Sequence, residues 1–168
     1  MDTSFHVRVT TERDAEAVSD LLEASYPVLM RDSYEPTALA GTLPDMTRAN
    51  PVLLSSGRYY LAEAENGLAV GSGGWSAGRP GTGDVVPGLA HLRHFATLPD
   101  WTGHGVGRAI YGLCEAAARA EGVTRLECYS SLNAEGFYAA LGFRVVERIE
   151  LPFGPDRSLP SVLMTRTI

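Results

Sequence analysis

The chain has 168 residues, of which 45% are hydrophobic and 20% are charged, and its formal net charge is −6. This size and composition predict a single domain over residues 1–168, and the negative charge argues against nucleic-acid and anionic-membrane partners. There is neither an apolar run of membrane-spanning length nor the pattern of a signal peptide, so we expect a cytoplasmic protein. Cys114 and Cys128 lack metal-ligand spacing and are expected to be reduced core thiols, with no metal site.

The N-terminal segment predicts a strand followed by a helix. Residues 5–10 alternate apolar and polar side chains as a half-buried strand does. Thr11 and Asp14 come close to a capping box, which marks a helix start. The apolar spacing of Val18, Leu21 and Leu22 then indicates the buried face of that helix.

Two prolines and a glycine predict breaks in the helical region that follows. Pro27 is expected to end the first helix at Tyr26, because proline removes a helical hydrogen bond. A less regular helical stretch is expected over residues 35–48, interrupted by Gly41 and Pro44.

A β-hairpin is predicted next. Residues 58–65 and 68–75 read as strands, and the Asn66-Gly67 pair between them is a strong signal for a tight hairpin turn. Residues 77–87, rich in glycine and proline, predict a mobile loop.

The middle of the chain predicts a strand, a glycine-rich turn and a helix in direct succession. Residues 89–98 form the strand, glycines stand at 103, 105 and 107, and the helix runs to Gly122. Its buried face is expected to contain Ile110, Leu113, Cys114 and Ala117. Free N–H groups at a helix start can bind an anion, and glycines let that anion approach the backbone. The unit is therefore a candidate site for a phosphate or pyrophosphate.

Two familiar nucleotide motifs do not fit this turn. The Rossmann fingerprint needs a third glycine where Arg108 stands, and the Walker A motif needs a lysine, which the chain lacks. The turn instead resembles motif A of the GNAT superfamily of acyl-CoA N-acyltransferases, R/Q-x-x-G-x-G/A. That motif falls on residues 102–107, with Thr102 in place of the usual Arg or Gln.

A second stretch strengthens the resemblance. Asn133 opens residues 133–143, which end in Tyr-x-x-x-Gly-Phe as motif B of the family does, and a strand is predicted between the motifs at 124–130. Two last strands, 144–151 and 161–167, are separated by a proline-rich loop. The resemblance implies an α/β (α+β) fold, with a central mixed, mostly antiparallel sheet of about seven strands and helices on both faces.

The resemblance also implies acetyl-CoA as the cofactor. In the family, main-chain N–H groups of the turn bind the cofactor phosphates, and the end of the preceding strand holds the pantetheine arm. The matching positions in this chain are Phe95, Ala96, Thr97, Thr102, Gly103, His104, Gly105, Val106, Gly107, Arg108, Asn133 and Tyr138. Arg108 either adds a positive charge near a phosphate or is simply solvated, and Asn133 also suits a helix N-cap.

Tyr138 is the candidate proton donor to the leaving thiolate. A phenol has a pKa of about 10, above that of a thiol, so it can return a proton to a departing sulfur. The alternative is that Tyr138 only packs beside Phe137 and Leu141.

His91 is the candidate general base for the amine. It lies eleven residues before Thr102, where several family members carry Glu or His, and an ordinary histidine pKa of about 6.5 suits a base at neutral pH. The alternatives are a purely structural strand histidine and a water chain to Glu63 or Glu65.

The resemblance predicts an N-acetyltransferase that attacks directly, with a primary amine of a small molecule or peptide as acceptor. The alternatives are a non-catalytic acyl-CoA-binding sensor or regulatory module and, less favoured, another phosphate-ligand enzyme. Family members commonly dimerise through their C-terminal strands, so a homodimer is a further expectation. Residues 1–50 contain nine acids and four arginines, an excess that fits either a cationic acceptor or solvated helix faces.

Overall fold

Seven strands form one sheet in the computed structural model, which describes residues 1–168. The strands are β1 (Phe5–Val9), β2 (Tyr59–Ala64), β3 (Ala69–Ser76), β4 (Leu89–Thr97), β5 (Arg125–Ser131), β6 (Arg144–Pro152) and β7 (Ser158–Thr167). The helices are α1 (Ala15–Leu29), α2 (Pro36–Met46), α3 (Pro51–Leu54), α4 (Val106–Ala120) and α5 (Glu135–Ala140). Short 3-10 turns lie at Glu12–Asp14, Pro99–Trp101 and Leu132–Ala134.

The strand order is β1-β2-β3-β4-β5-β7-β6, and only the β4–β5 pair is parallel. A parallel pair requires a crossover connection, and α4 supplies it between β4 and β5. Helix α4 packs on one face of the sheet, whereas α1 and α3 pack on the other and α2 packs against β7. The predicted fold class, a mostly antiparallel mixed sheet with helices on both faces, is confirmed.

Each face of the sheet has its own apolar core. On one face, Ile110 and Cys114 of α4 pack against strand residues such as Ala62 and Leu126. On the other face, a smaller cluster consists of Val18, Leu21, Leu22, Leu53, Leu54, Tyr59, Leu61 and Ala96. The two clusters fix the sheet between helices on both sides. None of these helices has the length and hydrophobicity needed to cross a membrane.

The capping box and the hairpin form as predicted. Thr11 and Asp14 exchange side-chain and backbone hydrogen bonds at the start of the first helical turn. Gly67 adopts a φ of 84° in the turn between β2 and β3, and Asn66 Oδ1 accepts from the N–H of Leu68 at 3.1 Å. Local turn chemistry therefore sets the register of this hairpin.

The predicted break at Tyr26–Pro27 is wrong, since α1 continues through Pro27 to Leu29. Likewise α2 runs unbroken through Gly41 and Pro44. A helical proline leaves the carbonyl four residues earlier without its donor, and here those residues, Glu23 and Ala40, are exposed. Water can hydrogen-bond to these carbonyls, so neither proline stops its helix.

One predicted core residue and the length of one loop also differ from expectation. Leu113 is 41% exposed, and Tyr111 is buried in its place because its ring packs edge-on against Phe143. The C-terminal loop is shorter than its prolines indicate, because Pro152 ends β6 and Pro160 lies within β7. The pairing of β7 with β5 ends at Ser161, so residues 158–160 pair with β6 alone. The missing N–H of Pro160 therefore removes no hydrogen bond to β5, and the strand tolerates this proline.

The loop at residues 77–87, predicted to be mobile, contains a small turn of its own. Gly78 and Val85 form an isolated bridge, and the N–H of Arg79 donates to the carbonyl of Asp84 at 2.8 Å. This turn directs the Arg79 side chain back toward Glu127 of β5.

Tyr34 ties the segment between α1 and α2 to the C-terminal strands, and its removal should destabilise the fold. Its buried hydroxyl donates to the carbonyl of Pro160 at 2.7 Å and accepts from the N–H of Leu132 at 2.9 Å. We expect Tyr34→Phe to lower the free energy of unfolding by about 1–3 kcal/mol, because two backbone groups lose their partner. Denaturant unfolding of Tyr34→Phe and of Tyr129→Phe, whose hydroxyl makes no hydrogen bond, provides the measurement, and equal stabilities would contradict it.

Candidate active site

The parallel strands β4 and β5 pair only near their N-terminal ends. Residues 89–91 lie opposite residues 125–127, and no pairing between the two strands follows. The second half of β4 therefore has a free edge that faces a gap in the sheet. Main-chain groups at such an edge need other partners, and a ligand can supply them.

A β-bulge in β4 lies at the point where the strands part. His94 and Phe95 together face the single residue Gly73 of β3. His94 has a φ of 50°, which is uncommon for a residue with a side chain. A Cβ on Gly73 would lie 2.7 Å from the Phe95 ring, so this glycine makes room for the bulge. Phe95 consequently packs on the α4 face of the sheet.

Two side chains of α1 bind the free edge of β4. Ser25 Oγ donates to the carbonyl of Thr97 at 2.7 Å, and the Tyr26 hydroxyl donates to the carbonyl of Phe95 at 3.0 Å. Neither residue was predicted from the sequence to belong to the site. A signal was present for Ser25, which follows the buried Leu22 by three residues and so continues the buried face of α1.

The turn before α4 presents a row of unpaired N–H groups. The backbone N–H groups of residues 103–108 donate to no acceptor within the protein. Gly103 and Gly105 have φ values of 78° and 82°, a left-handed conformation that glycine adopts without strain. Six consecutive free donors thus lie at the positive end of a fifteen-residue helix, and this segment is called the cradle below. Such a segment can bind an anion, and that it does so in this protein stays a prediction.

Thr102 and Gly107 have structural roles beside this cradle. Thr102 Oγ1 donates to the carbonyl of Pro99 at 2.9 Å, so its hydroxyl closes the preceding turn. A Cβ on Gly107 would lie 2.8 Å from the ring of Phe137, so glycine here lets α5 pack closely against α4. Motif A and motif B are thereby brought together.

The gap, the cradle and α5 enclose one cavity of about 710 Å³. Every residue predicted to bind the cofactor lines it except His104, which is exposed. The lining residues that the sequence did not predict are Ser25, Tyr26, Leu29, Met30, Trp101, Ser131, Ala134, Phe137 and Ala140. Residues from α1 on one face and α4 on the other share this cavity, so it passes through the sheet. Arg108 is the only charged residue in the lining.

Tyr138 presents a neutral hydroxyl to this cavity. The side chain is 7% exposed, and its ring packs against Phe95, Phe137 and Phe143 with centroid distances of 5.1–6.3 Å. Its hydroxyl makes no hydrogen bond within the protein, and burial raises the pKa of Tyr138 well above 10. Such a phenol stays protonated at neutral pH and can donate to a ligand.

His91 lies beside the gap rather than in the cavity lining. It is buried on the α1 face of the sheet, with Nδ1 3.9 Å from Glu127 Oε1. Burial lowers the pKa of His91 below 6.5, and Glu127 opposes this shift without cancelling it. His91 is therefore neutral at pH 7, as a general base must be. Tyr138 packs on the opposite, α4, face, so the two candidate catalytic groups approach the gap from different sides.

The two alternative carboxylates lie away from the gap. Glu63 forms an ion pair with Arg8 on β1, and β2, which carries Glu63, is separated from β4 by β3. Glu65 lines a different depression beside the N-terminus. No group of three or more His, Cys, Asp or Glu side chains lies close enough to hold a metal ion.

Comparison with protein families identifies one match. The family model described as acetyltransferase (GNAT) domain matches residues 55–145. That range contains the hairpin, the bulged strand, the glycine turn and motif B. A comparison with curated protein sequences found no match.

Three solved structures of similar fold are distant from this chain in sequence. A GCN5-related N-acetyltransferase from Rhodopseudomonas palustris has a TM-score of 0.78 and 22% identity, covering 100% of this chain and 99% of its own. PaiA N-acetyltransferase from Thermoplasma acidophilum, in complex with coenzyme A, has a TM-score of 0.74 and 15% identity, covering 98% and 99%. The ribosomal-protein-S18-alanine N-acetyltransferase from Escherichia coli has a TM-score of 0.61 and 18% identity, covering 98% and 94%.

Proposed function

Because the chain belongs to the GNAT family of acetyltransferases, we propose that it transfers an acetyl group from acetyl-CoA to a primary amine of a small molecule or peptide. One observation carries this proposal: Tyr138, whose hydroxyl is unbonded, lines the same cavity as the turn of unpaired N–H groups at residues 103–108, of which only His104 lies outside the lining. One end of that cavity suits a pyrophosphate and the other a reacting thioester.

The residues present fit the cofactor of the family. The N–H groups of residues 103–108 would bind its pyrophosphate, and the side chain of Arg108 adds a positive charge at the same end. Thr102 does not replace the arginine or glutamine usual at its position, because its hydroxyl is already bonded to Pro99. When bound, acetyl-CoA supplies the activated acetyl group as a thioester.

The free edge of β4 would hold the pantetheine arm. Leu98 donates its N–H to Val70 of β3, and alternation along the strand turns the main-chain groups of Phe95 and Thr97 toward the gap. The hydroxyls of Ser25 and Tyr26 donate to the carbonyls of Thr97 and Phe95 at this edge, so each of these carbonyls already has one partner. We assign to an N–H of this edge the hydrogen bond that stabilises the carbonyl oxygen of the thioester during attack.

Tyr138 and His91 would move the protons. Tyr138, protonated and without an internal partner, donates to the leaving sulfur. His91, neutral because it is buried, accepts the proton that the attacking amine loses, directly or through one water. The amine attacks the thioester itself, so no residue of the chain is acylated.

Three other sequence predictions stay predictions: a single domain over residues 1–168, cytoplasmic localisation and a homodimer. The last is consistent with β6 being an edge strand whose Val145 and Val146 are exposed.

Binding and turnover together test the proposed function. We expect a calorimetric titration to show micromolar binding of acetyl-CoA, with no comparable binding of ATP or NAD. We also expect free thiol to appear only when an amine from a small-molecule and peptide panel is added. Binding without thiol release from any amine would instead indicate the sensor or regulatory module, and absence of binding would refute both.

Replacing Tyr138 by phenylalanine tests the proton donor. Tyr138→Phe removes one hydroxyl and keeps the ring packing, so we expect kcat to fall about 10²–10⁴-fold while the Kd of acetyl-CoA is unchanged. The matched control is Tyr60→Phe, a buried tyrosine outside the cavity. An unchanged kcat at saturating substrates would remove Tyr138 from the mechanism.

The pH dependence of kcat/KM tests the base. Because the base acts in its neutral form and the pKa of His91 is lowered, the rate should rise with pH through a midpoint below 6.5. His91→Ala should abolish this rising limb, whereas His6→Ala, an exposed histidine on β1, should leave it in place. A limb that survives in His91→Ala would show that another group accepts the proton.

A further inference from the structure

Beside the gap, the α1 face of the sheet carries an arginine without an anionic partner. Strand register places Gly74 of β3 opposite Arg93 of β4, and Ser76 opposite His91. Gly74 pairs with Tyr59 of β2, and Tyr59 packs in the apolar cluster beneath α1. The row that contains Gly74, Arg93, Ser76 and His91 therefore lies on the α1 face. Arg93 therefore lies on the same face as His91, one step nearer the gap.

The guanidinium of Arg93 is only partly satisfied. Nη1 donates to Ser76 Oγ at 3.0 Å, which is the only hydrogen bond that the side chain makes. Nε is fully buried without any acceptor, whereas Nη2 is unbonded but not fully buried. An arginine has five N–H donors, and burying a charge without an anionic partner is unfavourable. A bound anion would offset this cost.

The protein itself offers no carboxylate to Arg93. Glu127, the carboxylate on the neighbouring strand, lies 3.9 Å from both Arg79 Nη2 and His91 Nδ1 and forms no ion pair with Arg93. None of the residues lining the cavity is acidic. The acidic excess of residues 1–50 lies outside the cavity, so it gives no support to a cationic acceptor.

Arg93 does not itself line the cavity, but the residues that follow it on the same face of the sheet do. Because the bulge adds one residue to β4, Ala96 lies on the same face as Arg93, and Ala96 lines the cavity. On β5, every second residue lies on this face, so Glu127, Tyr129 and Ser131 follow one another there. Ser131 also lines the cavity. A small molecule bound at Arg93 can thus extend an amine toward the thioester end of the gap.

From these contacts we propose that the acceptor is a small amine that also carries a carboxylate, such as an amino acid, and that Arg93 binds this carboxylate. Guanidinium groups match carboxylates in geometry and charge. Arg93 is then a specificity-determining residue, distinct from the groups that move protons. This inference rests on the proposed function for the role of the bound molecule, but its test does not require turnover.

The test uses matched amino acids and amino-acid amides. L-amino acids and their amides, which keep the amine but lose the negative charge, are titrated calorimetrically into the protein saturated with CoA, which cannot transfer an acetyl group. We expect at least one amino acid to bind about 10–100-fold more tightly than its amide, the range that a charge-assisted hydrogen bond supports. Absence of amino-acid binding, or equal affinities within every pair, would overturn the proposal.

Variants of Arg93 assign the effect to this residue. Arg93→Met keeps an apolar stem, and it should bring the acid and the amide to within about threefold of each other while leaving acetyl-CoA binding unchanged. Arg93→Lys should restore part of the preference, and Arg13→Gln, at an exposed position, should retain all of it. Circular dichroism confirms that each variant is folded. A preference that survives in folded Arg93→Met would contradict the assignment.

Turnover separates this inference from the proposed function. If the acid binds through Arg93 but no amine releases thiol from acetyl-CoA, the carboxylate site stands and the transferase assignment fails. If amides are acetylated with the same kcat/KM as acids, and bind equally well, the transferase stands and the carboxylate site fails.

Discussion

The site depends on the parting of β4 from β5. A parallel pair that continued to Thr97 would use up the main-chain groups that now face the cavity. The bulge at His94 prevents this, at the cost of a left-handed backbone for a residue with a side chain. Neighbouring groups stabilise that conformation: the Tyr59 hydroxyl donates to the carbonyl of His94 at 2.8 Å, and Tyr26 donates to that of Phe95. The strain persists because contacts from two elements oppose its relief.

A gap that passes through the sheet allows the two faces to differ in chemistry. On the α4 face, the free N–H groups of residues 103–108 and the buried phenol of Tyr138 are neutral donors. On the α1 face, His91 and Arg93 lie among partly buried charges. A ligand bound from one face and a second ligand bound from the other meet only in the gap. This arrangement fits the direct transfer proposed above, in which both substrates are bound at once and the amine attacks the thioester itself.

Features fixed by local chemistry could be predicted from the sequence, and features fixed by contacts between distant segments could not. The Asn66-Gly67 turn and the glycines of the cradle depend on backbone conformations that neighbouring residues determine, so their patterns were informative. Pro27 misled because its effect depends on whether Glu23 is exposed, which only packing decides. The bond from Tyr26 to Phe95 joins residues 69 apart, and no periodicity indicates it. The backbone of the cradle was thus predictable, whereas the contribution of Ser25 and Tyr26 from α1 to the cavity was not.

The local charges of the site act against the charge of the whole molecule. With a net charge of −6, the protein repels an anionic cofactor at long range, although physiological salt screens this repulsion beyond about 8 Å. Contact-range donors must therefore supply the attraction, and Arg108 and the N–H groups of the cradle lie where they can. The same reasoning applies to Arg93, whose charge no neighbouring carboxylate offsets. Because its lining contains no acidic residue, the cavity fits the two anionic ligands proposed above, the cofactor on the α4 face and the acceptor on the α1 face.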